Sequence, residues 1–484
     1  MIAGKKPSIL MVYPSCFYYP NYMSRLELKT SQLLLASYLA RYFPVEYADF
    51  EISIGRANSE LQVKRYTRQV RKFLEEREFD ILAISCWTSL SYQATLVTAR
   101  ICRELYPDRL IVVGGYHPSA RPQDFITDDK VVDYVLLGEG ELTLKDIADD
   151  FGHSGRPAGT VIAPCKTLPG EQFVDYDWTL LDGFVSTHFP DGIPSLYLYL
   201  SRGCPFGCTF CMEPLKERKW RAYPPETAIN ILQTAANRFK AYSIAISDAC
   251  FGMRTSWRKE FLKLLEKLKP EYWLIFETRP EYLDAEDIKM LCGLKVEVQF
   301  GIESGSADML SLMKKTRQPR RFLDRFSDIS RMLSEHDILH RANLIFNHPG
   351  ETRQTLRETF DFIDHELERR DSTLIWAPHG YMHFPGCELD RNMEFYCDKF
   401  GSRFISTDWW KGTTDQYENS LKFIPSTDLE GNDTDMWRRM IAEREEKFKT
   451  TLSPRAFRFA ANKYRQDWKN DARYEESKKA LGLS

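Results

Sequence analysis

A chain of 484 residues exceeds the length at which one hydrophobic core stops growing, so two or three domains are expected. Its 66 Lys and Arg against 69 Asp and Glu leave a net charge of -3, which provides no bulk attraction to nucleic acid or membrane surfaces and points to a small-molecule or peptide substrate. No stretch reaches the roughly 20 apolar residues of a membrane span, the first residues do not form a signal peptide, and eleven unevenly spread cysteines fit a reducing, cytoplasmic setting with metal chemistry rather than a disulfide framework.

In chain order, short β-rich apolar runs at 9–13, 45–48, 81–85, 110–113 and 134–137 alternate with helical periods near 32–42 and 92–105. This α/β order predicts a doubly wound, Rossmann-like parallel sheet over the first part of the chain. Ligands sit outside the carboxyl ends of such strands, and those ends carry Ser85-Cys86-Trp87-Thr88, Gly114-Gly115-Tyr116-His117-Pro118 and Gly138-Glu139-Gly140-Glu141. Small residues there let the backbone approach a flat ligand.

From about residue 155 to 192 the pattern lapses into Pro, Gly, Asp and Thr, as a linker would, which places a boundary near 165. Strands are then predicted at 196–200, 243–246, 273–278, 296–302, 341–346 and 373–377, with helices near 225–238, 256–268, 285–291, 319–336 and 352–367 between them. Six such strands predict an open, TIM-like (β/α)6 barrel with its function at the carboxyl ends. The charged, aromatic remainder has helix-like runs at 435–449 and 454–468 and reads as a mainly helical cap. The chain therefore divides into 1–165, 166–390 and 391–484.

Just after the first barrel strand comes Arg-Gly-Cys204-Pro-Phe-Gly-Cys208-Thr-Phe210-Cys211. Thiolates on a loop can converge on a metal without helical constraint. A closed zinc site needs a fourth ligand, usually from a second close pair, whereas the next cysteine is Cys250 and the nearest upstream histidine His188. Three thiolates on a cubane instead leave one iron with an exchangeable position, the iron–sulfur counterpart of an open catalytic metal site.

This spacing, with Phe210 before the last cysteine, resembles the signature of the radical S-adenosylmethionine (SAM) superfamily. Further runs are similar to that superfamily: Gln299-Phe-Gly-Ile-Glu303-Ser304-Gly-Ser followed by Met309-Leu-x-x-Met313-Lys, Asn343-Leu-Ile-Phe-Asn347-His-Pro349-Gly350-Glu351-Thr352, and Phe384-Pro385-Gly386-Cys387-Glu388-Leu389. With the Gly-Gly-x-His-Pro and Gly-Glu-Gly-Glu runs they resemble its cobalamin-binding class over roughly residues 7 to 390.

The resemblance implies that Cys204, Cys208 and Cys211 hold a [4Fe-4S] cluster, whose fourth iron is chelated by the amine and carboxylate of SAM. It places Phe210 near the adenine, with packing as the equal alternative, and Asp248 of Ser247-Asp248-Ala249-Cys250 where the superfamily usually carries a Gly-Gly-Glu-like run for the amine. Glu303 and Ser304 match the position that bonds the ribose hydroxyls; Arg341 and Asn343 alternate toward one face of the fifth strand, facing the methionine carboxylate or forming a core-edge salt bridge. Ser85, Thr88, Gly114, Gly115, His117, Gly138 and Glu139 lie where this class contacts cobalamin. No Asp-x-His-x-x-Gly run identifies a lower axial histidine, and His117 reads as structural first. His379, Tyr381 and His383 read as a polar barrel lining on one alternating face, and Trp376, Trp409 and Trp410 as substrate contacts or cap packing.

The implied activity is transfer of a methyl group from SAM, via methylcobalamin, to a carbon of the substrate, with electrons from a reductant such as flavodoxin or ferredoxin. Rearrangement, cyclisation or sulfur insertion, with or without cobalamin, is the alternative enzyme reading. An iron–sulfur electron carrier is the non-enzyme one, although carriers close their cubane with four cysteines.

Overall fold

A computed structural model of the chain describes residues 6–19, 28–168, 175–216, 218–368 and 372–483. Its strands are β1 (Ile9–Tyr13), β2 (Leu28–Lys29), β3 (Val45–Asp49), β4 (Ile81–Ser85), β5 (Leu110–Gly114), β6 (Tyr134–Leu137), β7 (Val161–Pro164), β8 (Leu196–Leu198), β9 (Ser201–Arg202), β10 (Arg221–Ala222), β11 (Ser243–Ile246), β12 (Trp273–Thr278), β13 (Val296–Glu303), β14 (Leu339–Phe346) and β15 (Leu374–Gly380), followed by a short antiparallel pair near residues 403 and 423.

The first sheet has the order β3-β1-β4-β5-β6-β7 and is parallel throughout. Its strands are buried on both faces, which explains their continuous apolar runs. Successive side chains point to opposite faces, so Leu10, Val12, Leu82 and Ile84 enter one core while Ile9, Met11, Ile81 and Ala83 enter another. β7 lies in the segment read as linker; it is short and only half-buried, so it carries no apolar signature. The helix Glu60–Glu75 was not anticipated either, because it buries only Tyr66, Val70 and Leu74 along an otherwise charged surface.

The second sheet runs β15-β14-β13-β12-β11-β8-β2. Six of these are the anticipated barrel strands. The seventh, β2, reaches across from the beginning of the chain to pair in parallel with β8. The helix Pro319–Glu335 shows why the outer layer forms: Phe322, Phe326, Ile329 and Leu333 make one apolar stripe against the sheet.

The C-terminal region is mainly helical and serves both sheets. Met436–Thr451 and Pro454–Lys463 pack on the barrel, where Trp437 stacks on Phe346 with ring centroids 5.1 Å apart. Trp409 and Trp410 instead complete a core of the first sheet, and Trp410 donates its indole N–H to Asp124 at 2.8 Å. Among the described residues no helix is long and apolar enough to cross a membrane.

Candidate functional site

The cysteine loop is an excursion closed by the antiparallel ribbon of β9 and β10. It is pinned from two sides: the Thr209 N–H donates to Met313 O at 3.0 Å, and the Leu389 N–H donates to Thr209 O at 2.8 Å. Cys204, Cys208 and Cys211 are free thiols, half-buried, and the Glu213 N–H donates to Cys211 Sγ at 3.4 Å, a contact that favours thiolate. Among the described residues no three His, Cys, Asp or Glu side chains are arranged to hold a metal ion together. A cubane binds each thiolate at a different iron corner, so its ligands stand farther apart than those of a mononuclear site. Three thiols on a pinned loop therefore fit a cluster.

Ahead of the loop opens a cleft of about 1130 Å³, counting its mouth. One wall is the carboxyl end of the first sheet, with Ser85, Trp87, Gly114, Gly115, Gly138 and Glu139; the other is the barrel side, with Tyr199, Arg202, Gly203, Glu213, Lys216 and Ser247. Gly115 has φ +122°, and a Cβ there would fall 2.5 Å from the Cys86 carbonyl oxygen, so only glycine lets the loop after β5 lie against that after β4. Deeper in, Met11, Leu34, Ala83, Val112, Leu136 and Leu144 form an apolar shaft. A flat, wide macrocycle with an aromatic tail, such as cobalamin, suits a glycine-rimmed mouth over such a shaft.

Two residues that the resemblance places at cobalamin stand off this wall, His117 in the structural role read for it first. Thr88 is outside the cleft lining, and so is His117, which is fully buried, bonded to Ser89 at 2.9 Å and 3.2 Å from Asp124. Burial pushes the His117 pKa down, although Asp124 opposes the shift. It is a core histidine at the Trp410 contact.

Charges that the sequence reading did not connect join the two walls. Arg202 donates to Glu141 at 2.6 Å and to Glu139 at 3.4 Å, and Arg221 donates to Glu139 at 2.6 Å. The ribbon that closes the cysteine loop is thus tied to the Gly-Glu-Gly-Glu turn. Breaking such a buried pair strands the remaining charge.

A second cavity, of about 950 Å³, lies inside the barrel and meets the first at Ser247. Asp248, Glu277, Gln299, Arg341 and Tyr464 line it. Asp248 is already engaged: it accepts from the backbone N–H groups of Leu200 at 2.8 Å and Ser201 at 2.9 Å, and from Ser201 Oγ at 2.6 Å. Arg341 donates to Gln299 at 2.5 Å, and Asn343 donates to Glu277 at 3.4 Å, leaving the Asn343 Oδ1 buried without a hydrogen-bond partner. Tyr464, at the end of a C-terminal helix, donates to Glu297 at 2.7 Å and closes the barrel floor.

At the end of β13 the register slips between Gly301 and Glu303, and Glu303 takes φ +70°. The bulge turns its carboxylate onto Lys315 Nζ at 2.8 Å. Ser304, expected to meet a ribose, is turned away: it is buried against Thr359 Oγ1 at 2.9 Å. Phe210 is half-buried and packs toward His348, ring centroids 6.4 Å apart. Tyr381 and His383 leave the expected lining, Tyr381 joining a separate core and His383 lying 3.0 Å from Asp390, whereas His379 stays near Arg341, and burial with that guanidinium pushes its pKa down to about 4.

Glu351, in the loop after β14, is buried and accepts from the Asn347 N–H at 2.6 Å, and burial pushes its pKa up to about 8 against that bond. An acid raised in the folded state stabilises the fold below its unfolded value, and that contribution is lost as pH rises through about 8. Relative to Glu351→Gln, the unmodified protein is expected to lose on the order of 3 kcal/mol between mildly acidic and mildly alkaline pH, read from urea unfolding midpoints.

Comparison with known proteins gives two family matches, the Radical SAM superfamily over residues 198–363 and the B12 binding domain over residues 33–148. An uncharacterized methyltransferase of Pyrococcus horikoshii is 26% identical over 74% of this chain and 78% of its own length. The anaerobic magnesium-protoporphyrin IX monomethyl ester cyclase of Cereibacter sphaeroides is 25% identical over 59% of this chain, which spans about half (49%) of the cyclase. Among solved structures, the radical SAM methyltransferase TsrM of Kitasatospora setae, with cobalamin and a [4Fe-4S] cluster bound, superposes with a TM-score of 0.65 at 14% identity, covering 99% of this chain and 100% of its own.

Proposed function

We propose that this chain, which belongs to the cobalamin-dependent radical SAM methyltransferase family, moves a methyl group from SAM to a carbon of a small-molecule or peptide substrate held where its two cavities meet. One observation carries the reading: Gly203 and Glu213 of the cysteine loop wall the same cleft as Gly114, Gly115 and Gly138 of the first sheet. When bound, the cluster with SAM supplies one-electron chemistry and cobalamin supplies a methyl carrier.

In this reading Cys204, Cys208 and Cys211 are the cluster ligands, and residues 1–165, 166–390 and 391–484 are the corrin domain, the barrel and the cap. The glycines after β5 and β6 cradle the corrin while Ser85 and Glu139 flank it. Arg202, through Glu139 and Glu141, holds the cluster loop in register with that cradle. Glu303 reaches SAM with Lys315 beside it, and Arg341 and Asn343 face the interior from β14. The external reductant and a reducing, cytoplasmic setting follow from the cofactors.

Anaerobic incubation of reconstituted enzyme with SAM labelled in its methyl group, against a panel of metabolites and peptides, tests the reading by mass spectrometry. A product carrying the labelled methyl group is expected. A product without it would move the assignment to ring closure, the reaction named for the cyclase relative.

A further inference from the structure

We propose that Lys216 is the anion-binding residue of the cleft and holds a carboxylate of the substrate, so that the molecules this chain acts on are carboxylic acids. The proposal rests on the reading that the reaction takes place in this cleft.

Lys216 follows the cysteine loop's short turn Glu213–Leu215 and lines the barrel-side wall. The other two cations of that region are matched, Arg202 to Glu141 and Glu139, and Arg221 to Glu139. Lys216 is not. Among the described residues no carboxylate comes within ion-pair distance of its Nζ, which sits 3.6 Å from the ring centroid of Tyr116. Glu213 is the nearby acid, beyond ion-pair distance of that ammonium, and one of its carboxylate oxygens accepts from the Tyr116 hydroxyl.

A cation–π contact contributes about 0.5–2 kcal/mol and does not neutralise a charge. Removing an ammonium from water without a counter-ion costs more than that, and burial indeed draws the Lys216 pKa below the ordinary lysine range, with Glu213 opposing the shift. A half-buried ammonium on a cavity wall, with no carboxylate among the described residues within ion-pair distance and Glu213 acting on it only from farther off, is a site that a bound anion would complete. Two anions are chemically eligible, a substrate carboxylate and the phosphodiester of a corrin nucleotide tail. The apolar shaft suited to an aromatic tail belongs to the first domain, through Met11, Leu34, Ala83 and Leu136. Lys216 belongs to the opposite wall, with Gly203 and Ser247, beside the cysteine loop. That placement favours the substrate.

The test uses cluster- and cobalamin-loaded enzyme, with Lys216→Met and Lys216→Arg. Ligand-observed NMR titrations compare propionate with propionamide, its neutral isostere. The unmodified enzyme and Lys216→Arg are expected to bind propionate at least about tenfold more tightly than propionamide, the ratio a charge-assisted hydrogen bond supports. Lys216→Met should reduce propionate to the propionamide level while leaving iron content and hydroxocobalamin affinity unchanged. Equal binding of the two probes by the unmodified enzyme, or undiminished propionate binding by Lys216→Met, overturns the proposal. So does a Lys216→Met enzyme that binds hydroxocobalamin more weakly but cobinamide normally, since the anion would then be the nucleotide phosphate. Methyl transfer fails separately, by product mass: an unmethylated product with the propionate preference intact would leave this site standing.

Discussion

Cys208→Ala is expected to purify without an intact cluster and to lose SAM cleavage by far more than the about 100-fold that follows loss of an outer-shell partner of a metal ligand. The reason is stoichiometric: with three thiolates on a cubane, removing one exposes a second iron. Iron analysis and 5′-deoxyadenosine formation read the two losses. Cys250→Ala is the informative control. Cys250 is buried close to Cys204, and burial together with that neighbour pushes its pKa up to about 12. If the site were a closed four-cysteine centre, Cys250 is the thiol that would complete it, and its removal would strip the metal. An open three-cysteine site predicts that Cys250→Ala keeps its iron and continues to cleave SAM. Loss of iron from both variants would refute the open site.

The cysteine loop was legible because its signal is local: nine residues, Gly203 to Cys211, carry the spacing and its glycines. The barrel and the first sheet were legible for a related reason, since strands buried on both faces must be apolar throughout, as Ile9–Tyr13 and Leu110–Gly114 are. What stayed hidden acts across long separations in sequence. Arg202 and Glu141 meet over 61 residues and Arg221 and Glu139 over 82, and neither pair has a motif of its own. Two-residue β2 has no period to read, and Trp410 reads as a cap residue until it is seen to donate to Asp124, 286 positions away. Ser304 failed for a different reason. Adjacent residues of an extended chain point to opposite sides, so the position that aims Glu303 into the barrel turns Ser304 out onto Thr359, and the two cannot share one ligand.

Asp248 is where the structure most changes the chemistry inferred from sequence, and its variants separate two roles. Its Oδ1 accepts from both the Leu200 and Ser201 N–H groups, and its Oδ2 from Ser201 Oγ, so the side chain fixes the strand end from which the cysteine loop departs. Burial pushes its pKa up to about 7, the three hydrogen bonds opposing. Asp248→Ala would leave two buried N–H groups and a hydroxyl without that acceptor, at about 1–3 kcal/mol each. The loop is expected to lose its set, iron occupancy to fall, and SAM cleavage to drop about 100-fold or more. Asp248→Asn keeps an acceptor at the Oδ1 position and offers its amide to Ser201 Oγ, much as a protonated aspartate would. If Asp248 serves the loop, the asparagine variant retains iron and SAM affinity close to those of the unmodified enzyme. If its charge also holds the SAM amine, the asparagine variant keeps its cluster but binds SAM about tenfold more weakly, the loss expected for one charge-assisted bond. Iron content reports the first role and equilibrium SAM binding the second, and the three hydrogen bonds to the loop make retained affinity the expected result.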